Sequence, residues 1–187
     1  MSAAMHQRPT SATADPAYKA GAIALMLAVA SIIAAFGFQY IGGYAPCPLC
    51  LMQRYAYYAG IPLLFGALVL VATDRAGWAA ALFFLVALAF LANAGLGVYH
   101  AGAEWKFWPG PDTCASVSQT LGGGGSGGLL KQLETTRVIR CDEAPWTFLG
   151  LSFAGWNVVI SFLIFVAALQ AAFAASATNT RRRMSEI

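Results

Sequence analysis

Two cysteines three positions apart are the residues best suited to redox chemistry in this chain. Cys47 and Cys50 lie in the segment Pro46-Cys47-Pro48-Leu49-Cys50, between two long apolar runs. A disulfide across two intervening residues closes a loop that is already short, so it would stabilise the fold very little. A dithiol at the boundary between lipid and water can instead pass electrons between aqueous thiols and a lipid-soluble carrier. The spacing therefore predicts a redox-active pair.

The other two cysteines, Cys114 and Cys141, fall in the only long polar segment and have 26 residues between them. Four cysteines allow three pairings, and the residues alone leave the pairing open. This second pair can be redox-active or can be a structural disulfide on a glycine-rich loop. Covalent haem attachment is excluded because Leu51 stands where a histidine is required. The four cysteines also lack the compact spacing of a zinc site, so no metal is predicted.

Arg54 and His100 are the candidate partners of the first pair. We expect Cys50 to begin the second helix, where free N–H groups and the helix dipole favour a thiolate. Arg54 follows four residues later, on the same helical face and one turn deeper. A charge at that depth is costly in lipid, so it should face the bundle rather than reach back to the interface. His100 either donates to an oxygen of the electron acceptor and transfers protons, or is simply solvated.

The composition places most of the chain in lipid. Of its 187 residues, 59% are hydrophobic and 10% are charged, against about 25% charged in soluble domains. Four apolar runs are long enough to cross a hydrocarbon core of about 30 Å as helices. These runs are residues 20–38, 55–72, 78–98 and 153–175. The sequence predicts an all-α membrane protein, a four-helix bundle. The net charge of +3 without a basic stripe gives no support for nucleic-acid binding.

The predicted domain is a transmembrane unit over residues 20–176, between a disordered tail (1–19) and a basic tail (177–187). Its helices are expected at about 20–41, 51–72, 78–99 and 153–175, with loops at 42–50 and 100–152. In the long loop, residues 129–140 alternate apolar and basic side chains and predict a short interfacial helix. The tract Gly122–Gly128 resembles an engineered linker, although natural loops contain such runs. Asn93, Asn157 and Gln170 are expected to form hydrogen bonds between helices.

The distribution of basic residues and the placement of the cysteines predict the same orientation of the chain in the membrane. An even number of spans puts both termini on one side, together with six of the eleven basic residues. Basic residues near helix ends favour the cytoplasm, so both termini are predicted there. All four cysteines then lie on the opposite side, where an oxidising compartment such as the bacterial periplasm preserves disulfides.

Together these residues resemble the DsbB family of bacterial inner-membrane disulfide-formation proteins. The resemblance rests on Cys47-Pro48-Leu49-Cys50 with Arg54, on Tyr99-His100, on Cys114, and on Cys141 followed by Trp146-Thr147-Phe148-Leu149-Gly150-Leu151 and Trp156. With the four spans, it covers nearly the whole chain after the N-terminal tail. The cysteine order differs from that of the related vitamin K epoxide reductase family, in which the Cys-x-x-Cys pair follows the loop pair.

The resemblance implies an enzyme that reoxidises DsbA, a soluble periplasmic oxidase of thioredoxin fold, and reduces ubiquinone, with menaquinone as an alternative. By the same resemblance, reduced DsbA attacks Cys114 of a Cys114–Cys141 disulfide. The released Cys141 then attacks Cys47, and the freed Cys50 faces the quinone as a thiolate.

The resemblance also places Arg54 and His100 at the quinone site. The glycine tract departs from the pattern of the family and leaves the docking of the long loop open. Two other functions remain possible from the sequence. One is an oxidase with the same chemistry that serves a single dedicated periplasmic partner. The other is a non-catalytic membrane scaffold whose outer loop is held by disulfides and binds a periplasmic protein.

Overall fold

The computed structural model describes residues 15–110, 144 and 146–185, and these form four long helices with one short hairpin. The helices are α1 (Pro16–Tyr40), α2 (Pro48–Ala72), α3 (Ala76–Glu104) and α4 (Phe153–Ser185). Each is long and apolar enough to cross a membrane. The predicted fold class is therefore confirmed. The hairpin, which the sequence analysis did not predict, pairs β1 (Thr147–Phe148) with β2 (Leu151–Ser152) in antiparallel register.

The helices extend beyond the ranges predicted from hydropathy. Helix α1 begins at Pro16 rather than at residue 20, α3 ends at Glu104 rather than at 99, and α4 continues to Ser185 rather than to 175. Hydropathy marks only the part of a helix that lipid covers, whereas capping groups and turns set its ends. At the start of α1, the side chain of Asp15 accepts a hydrogen bond from the N–H of Ala17. Because α4 continues to Ser185, most of the predicted C-terminal tail (177–187) is helical.

Small residues allow the helices to approach closely. The buried core is dominated by alanine, and the rings of Phe83 and Phe90 fill it without any exposure. A side chain at Gly21 would meet the ring of Phe83 at 2.6 Å, and one at Gly60 would meet Phe90 at the same distance. Helices in lipid associate through such close packing, since there is no hydrophobic driving force between them.

A buried polar cluster links three of the helices. The Tyr57 hydroxyl of α2 donates to Asn157 Oδ1 of α4 at 2.8 Å, and Asn93 Nδ2 of α3 donates to Ser161 Oγ of α4 at 2.9 Å. The expectation that Asn93 and Asn157 bond between helices is confirmed. Gln170 is instead exposed, so the same expectation was wrong for that residue. Helical periodicity alone did not show which face of α4 is turned outward.

The two ends of the bundle differ in character. Helices α2 and α3 are joined by a turn, Thr73–Arg75, in which Asp74 has a left-handed backbone (φ 63°). Arg182 of α4 donates to the Asp74 backbone oxygen at 3.1 Å and to its carboxylate. The C-terminal end of α4 therefore lies against this turn. The hairpin and the link between α1 and α2 are at the other end. The predicted interfacial helix, the glycine tract, Cys114 and Cys141 lie outside the described residues.

Candidate dithiol site

Cys47 caps α2, and Cys50 is in its first turn. Cys47 has an extended backbone (φ −74°, ψ 164°), and its sulfur accepts a hydrogen bond from the N–H of Cys50 at 3.2 Å. Pro48 occupies the first helical position, where its fixed φ suits a helix and its missing N–H costs nothing. The helix thus begins three residues earlier than predicted. The capping sulfur belongs to Cys47 rather than to Cys50.

The two sulfurs face each other. A hydrogen bond joins them over an Sγ–Sγ distance of 2.8 Å, and the Cys50 thiol is its donor once Cys47 has lost its proton. This hydrogen bond, supported by His100 and opposed by burial, lowers the pKa of Cys47 to about 5. At neutral pH Cys47 is therefore a thiolate, the form in which a cysteine is a nucleophile. The sequence predicted the thiolate at Cys50, whereas the hydrogen bonds of the pair favour it at Cys47. The pair is set for thiol–disulfide exchange.

His100 is buried against this pair and is not solvated. It is 2% exposed, and its Nε2 lies 3.7 Å from Cys47 Sγ. Its Nδ1 lies 3.1 Å from the side-chain nitrogen of Gln53. The interpretation of His100 as a surface histidine is therefore wrong. The side chain joins α3 to α2 directly beside the dithiol.

Arg54 faces the bundle, as predicted. Its Nη1 donates to Gln39 Oε1 of α1 at 2.6 Å, and its Nη2 donates to the Ala35 carbonyl at 3.4 Å. The guanidinium also lies 5.4 Å from the ring centroid of Phe36, within the range of a cation–π contact. Among the described residues no carboxylate lies within ion-pair distance of Arg54. Its positive charge is thus available to a polar group in the neighbouring cavity.

A cavity of about 810 Å³ opens beside the dithiol, between all four helices and the hairpin. Cys47, Cys50, Arg54 and His100 line its polar end together with Gln53 and Glu104. Ser31, Tyr57 and Asn157 add further polar groups, and most of the remaining lining is aliphatic or aromatic. The apolar lining includes Ile32, Phe38, Trp146, Phe148, Phe153 and Ile160. Pockets of this size and character hold small molecules that are mostly apolar with a few polar groups.

The hairpin brings aromatic rings over the mouth of this cavity. Leu149 (φ 53°) and Gly150 (φ 79°) both have left-handed backbones, as a tight two-residue hairpin turn requires. Trp146 then stacks on Phe153, with ring centroids 5.0 Å apart, and lies 5.2 Å from the ring of Phe38. The Trp146 ring therefore packs against α1 and α4 at the rim of the cavity.

Gln53 and Glu104 are site residues that the sequence analysis missed. Gln53 is three residues after Cys50 and Glu104 is four after His100, so each lies on the same helical face as a candidate residue. That spacing was the signal that could have identified them. Both side chains are directed inward, Gln53 to His100 and Glu104 to within 3.8 Å of His100 Nε2.

The donor atoms of Cys47, Cys50 and His100 lie within 4.8 Å of one another, as in a possible metal site. Two thiolates on one tetrahedral zinc ion are about 3.8 Å apart, given Zn–S bonds of about 2.3 Å. The sulfurs of this pair are closer, at 2.8 Å. The arrangement therefore suits a dithiol–disulfide couple better than a metal centre.

We predict that Cys47 titrates far below an ordinary thiol. In reduced protein that carries Cys114→Ser and Cys141→Ser, ultraviolet thiolate absorbance should persist at pH 7 and disappear as the pH falls through about 5. Adding Cys47→Ser should abolish this low-pH transition. A single transition near pH 8.5, the ordinary value for cysteine, would contradict the prediction.

Comparison with known proteins matches the chain to one family. The family model "Disulfide bond formation protein DsbB" covers residues 19–171. Proteins named "Disulfide bond formation protein B" are similar over most of their length. The protein from an Acidovorax strain is 31% identical over 79% of this chain and 83% of its own. The protein from Aromatoleum aromaticum is 32% identical over 77% and 86%, respectively.

No solved structure gives a significant match. The family match runs from residue 19, within α1, to residue 171 in α4, and it includes the dithiol, Arg54 and His100. This chain, a multi-pass membrane protein by its four apolar helices, therefore belongs to the DsbB family of disulfide bond formation proteins.

Proposed function

We propose that this protein is a thiol:quinone oxidoreductase of the bacterial inner membrane. It reoxidises a DsbA-like thioredoxin-fold oxidase in the periplasm and passes the two electrons to ubiquinone, or to menaquinone in a host that uses it. Relays of DsbA, DsbB and quinone are known to keep bacterial periplasms oxidising. The main support here is the position of the Cys47–Cys50 pair at the polar end of a mostly apolar cavity in a membrane bundle.

The proposed thiol chemistry uses all four cysteines. The reduced partner attacks Cys114 of a Cys114–Cys141 disulfide, and the released Cys141 attacks Cys47 of a Cys47–Cys50 disulfide. Completion of these exchanges oxidises the partner, restores the Cys114–Cys141 bond and leaves Cys47 and Cys50 reduced. Oxidation of this dithiol back to the disulfide releases two electrons and two protons. The close sulfurs, 2.8 Å apart, support this last step because forming the bond needs only a small approach.

The cavity fits a quinone by its chemistry. When bound, a quinone supplies a two-electron, two-proton acceptor that becomes a quinol. Arg54 can donate to a carbonyl oxygen and stabilise negative charge there, since no carboxylate neutralises it among the described residues. Cys50 lines the same cavity and is less buried than Cys47. His100 closes the polar end from α3, beside Cys47. The apolar walls exclude water and suit an isoprenoid chain.

The proposed orientation puts both termini in the cytoplasm and the dithiol at the periplasmic face. Arg75 and the run Arg181–Arg183 lie at the end of the bundle away from Cys47, where the α2–α3 turn meets α4. Basic residues collect on the cytoplasmic side of membrane proteins. On the same basis, residues 1–19 and 177–187 are proposed to flank the transmembrane domain on that side.

We predict that Cys50→Ser abolishes quinone reduction by a reduced DsbA-like protein while the helical content is unchanged. The substitution removes one sulfur of the couple, so no disulfide can form at the cavity. Leu51→Ser is the matched control. Leu51 is exposed and does not line the cavity, so this variant should keep the activity of the unmutated protein.

The same assay separates the competing functions. If the unmutated protein transfers no electrons from any reduced thiol protein to quinone, it is a scaffold and the proposal is wrong. If only one thiol protein among several is oxidised, the chemistry stands and the partner is a dedicated one.

We predict that Arg54→Met raises the KM for quinone by about 10- to 100-fold, the range for losing a hydrogen bond to a charged group. Methionine keeps the apolar stem and removes only the donors and the charge. Arg75→Met is the control, because Arg75 is an exposed cation at the opposite end of the bundle. Steady-state rates against quinone concentration, with the reduced partner in excess, measure the effect. Equal KM values for Arg54→Met and the unmutated protein would remove Arg54 from the quinone site.

A further inference from the structure

A buried carboxylate connects the dithiol site to the start of α4. Glu104 is the last residue of α3, and its side chain is 5% exposed. Its Oε2 accepts a hydrogen bond from the Ser152 hydroxyl. Ser152 Oγ in turn accepts the N–H of Gly155 at 3.2 Å and so caps the first turn of α4. Glu104 is thus held in place from the side opposite to His100.

The second oxygen of Glu104 faces the imidazole. Glu104 Oε1 lies 3.8 Å from His100 Nε2, and Cys47 Sγ lies 3.7 Å from the same nitrogen. A carboxylate and a thiolate are both hydrogen-bond acceptors. Two acceptors around Nε2 favour a proton on this nitrogen.

Gln53 does not oppose this arrangement. Its side-chain nitrogen lies 3.1 Å from His100 Nδ1 and can donate to it when that nitrogen carries no proton. An amide presents a donor or an acceptor after a simple flip, so Gln53 can serve either form of the ring. The groups around Nε2 therefore determine which of the two ring nitrogens of His100 carries the proton.

The other titratable groups near His100 are few. Among the described residues, Cys47 and Cys50 lie beside it, and Arg54, Tyr44 and Tyr57 line the same cavity. Helices α1 and α4 contribute no ionisable side chain to the cavity lining. Of the described basic residues, only His100 lies within ion-pair distance of Glu104.

We propose that Glu104 is a positioning residue that keeps a proton on His100 Nε2, so that this nitrogen donates toward the Cys47 sulfur. The inference rests on the proposed function, because its purpose is to stabilise Cys47 as a thiolate whenever the Cys47–Cys50 disulfide opens. Without Glu104, the proton can move to Nδ1. The lone pair that is then present on Nε2 faces the sulfur and repels its negative charge. Glu104 acts through His100 and does not itself touch the sulfurs.

Glu104→Gln tests this directly. The Ser152 hydroxyl would still donate to the side-chain oxygen at position 104, which leaves the NH2 group facing His100. An amide donor at this place favours an unprotonated Nε2, so the proton should move to Nδ1 and Gln53 should flip. A preference of 1.4 kcal/mol in favour of one tautomer corresponds to a ratio of about ten. We expect the tautomer ratio to change by at least about tenfold.

Nitrogen-15 NMR of histidine-labelled full-length protein in micelles measures the ratio. The chain has two histidines, and His6→Ala leaves only the signals of His100. The disulfide form is measured, since Cys47 then carries no charge and Glu104 is the main acceptor. We expect a protonated Nε2 in this protein and an unprotonated Nε2 after Glu104→Gln. Asp74→Asn, which removes an exposed carboxylate at the other end of the bundle, should leave the signals unchanged.

Two results would overturn the inference. One is an unprotonated Nε2 without any substitution at position 104, which can be seen even if Glu104→Gln fails to fold. The other is an identical tautomer ratio with and without Glu104→Gln. Because the spectra need no quinone, a protein that reduces quinone but fails this test keeps its proposed function and loses only the role of Glu104.

Discussion

The hydrogen bonding around one sulfur determines the chemistry of this site. Cys47 Sγ is hydrogen-bonded to the backbone N–H and to the thiol of Cys50, and it also lies against an imidazole nitrogen. Each of these contacts stabilises negative charge on a group that is almost completely buried. A lone thiol at the same depth would be neutral and unreactive, because burial opposes its ionisation. The helix start, the spacing of the pair and the packing of α3 on α2 together produce a nucleophile.

The lipid environment explains why the polar side chains of the bundle lie next to one another. Polar side chains are costly inside a membrane unless they bond to one another, and two layers of such side chains lie in the described part of this bundle. One layer joins Tyr57, Asn93, Asn157 and Ser161 and fixes three helices relative to one another. The other contains the dithiol with Arg54, His100 and Glu104. Tyr57 and Asn157 of the first layer also line the cavity. The side chains that fix the helices therefore border those that surround the sulfurs.

Much of this could be predicted from the sequence, for a physical reason in each case. Continuous apolar runs must be helices in lipid, so the four spans were correct. The cost of a buried guanidinium predicted the inward direction of Arg54. The start of α2 was misplaced because hydropathy begins where lipid begins, whereas the helix begins at the Cys47 cap and Pro48. The burial of His100 and its contact with Glu104 depend on how α2 and α4 pack on α3, and no local pattern encodes that packing.

Transfer of electrons from the Cys47–Cys50 pair to quinone can be followed at the sulfurs themselves. The protein is fully reduced without oxygen, mixed with ubiquinone for a single turnover, and its disulfides are mapped by mass spectrometry. We expect a peptide with a Cys47–Cys50 disulfide to appear, with one equivalent of quinol formed for each disulfide. If both cysteines remain free thiols and the quinone is unchanged, the pair is not the electron donor.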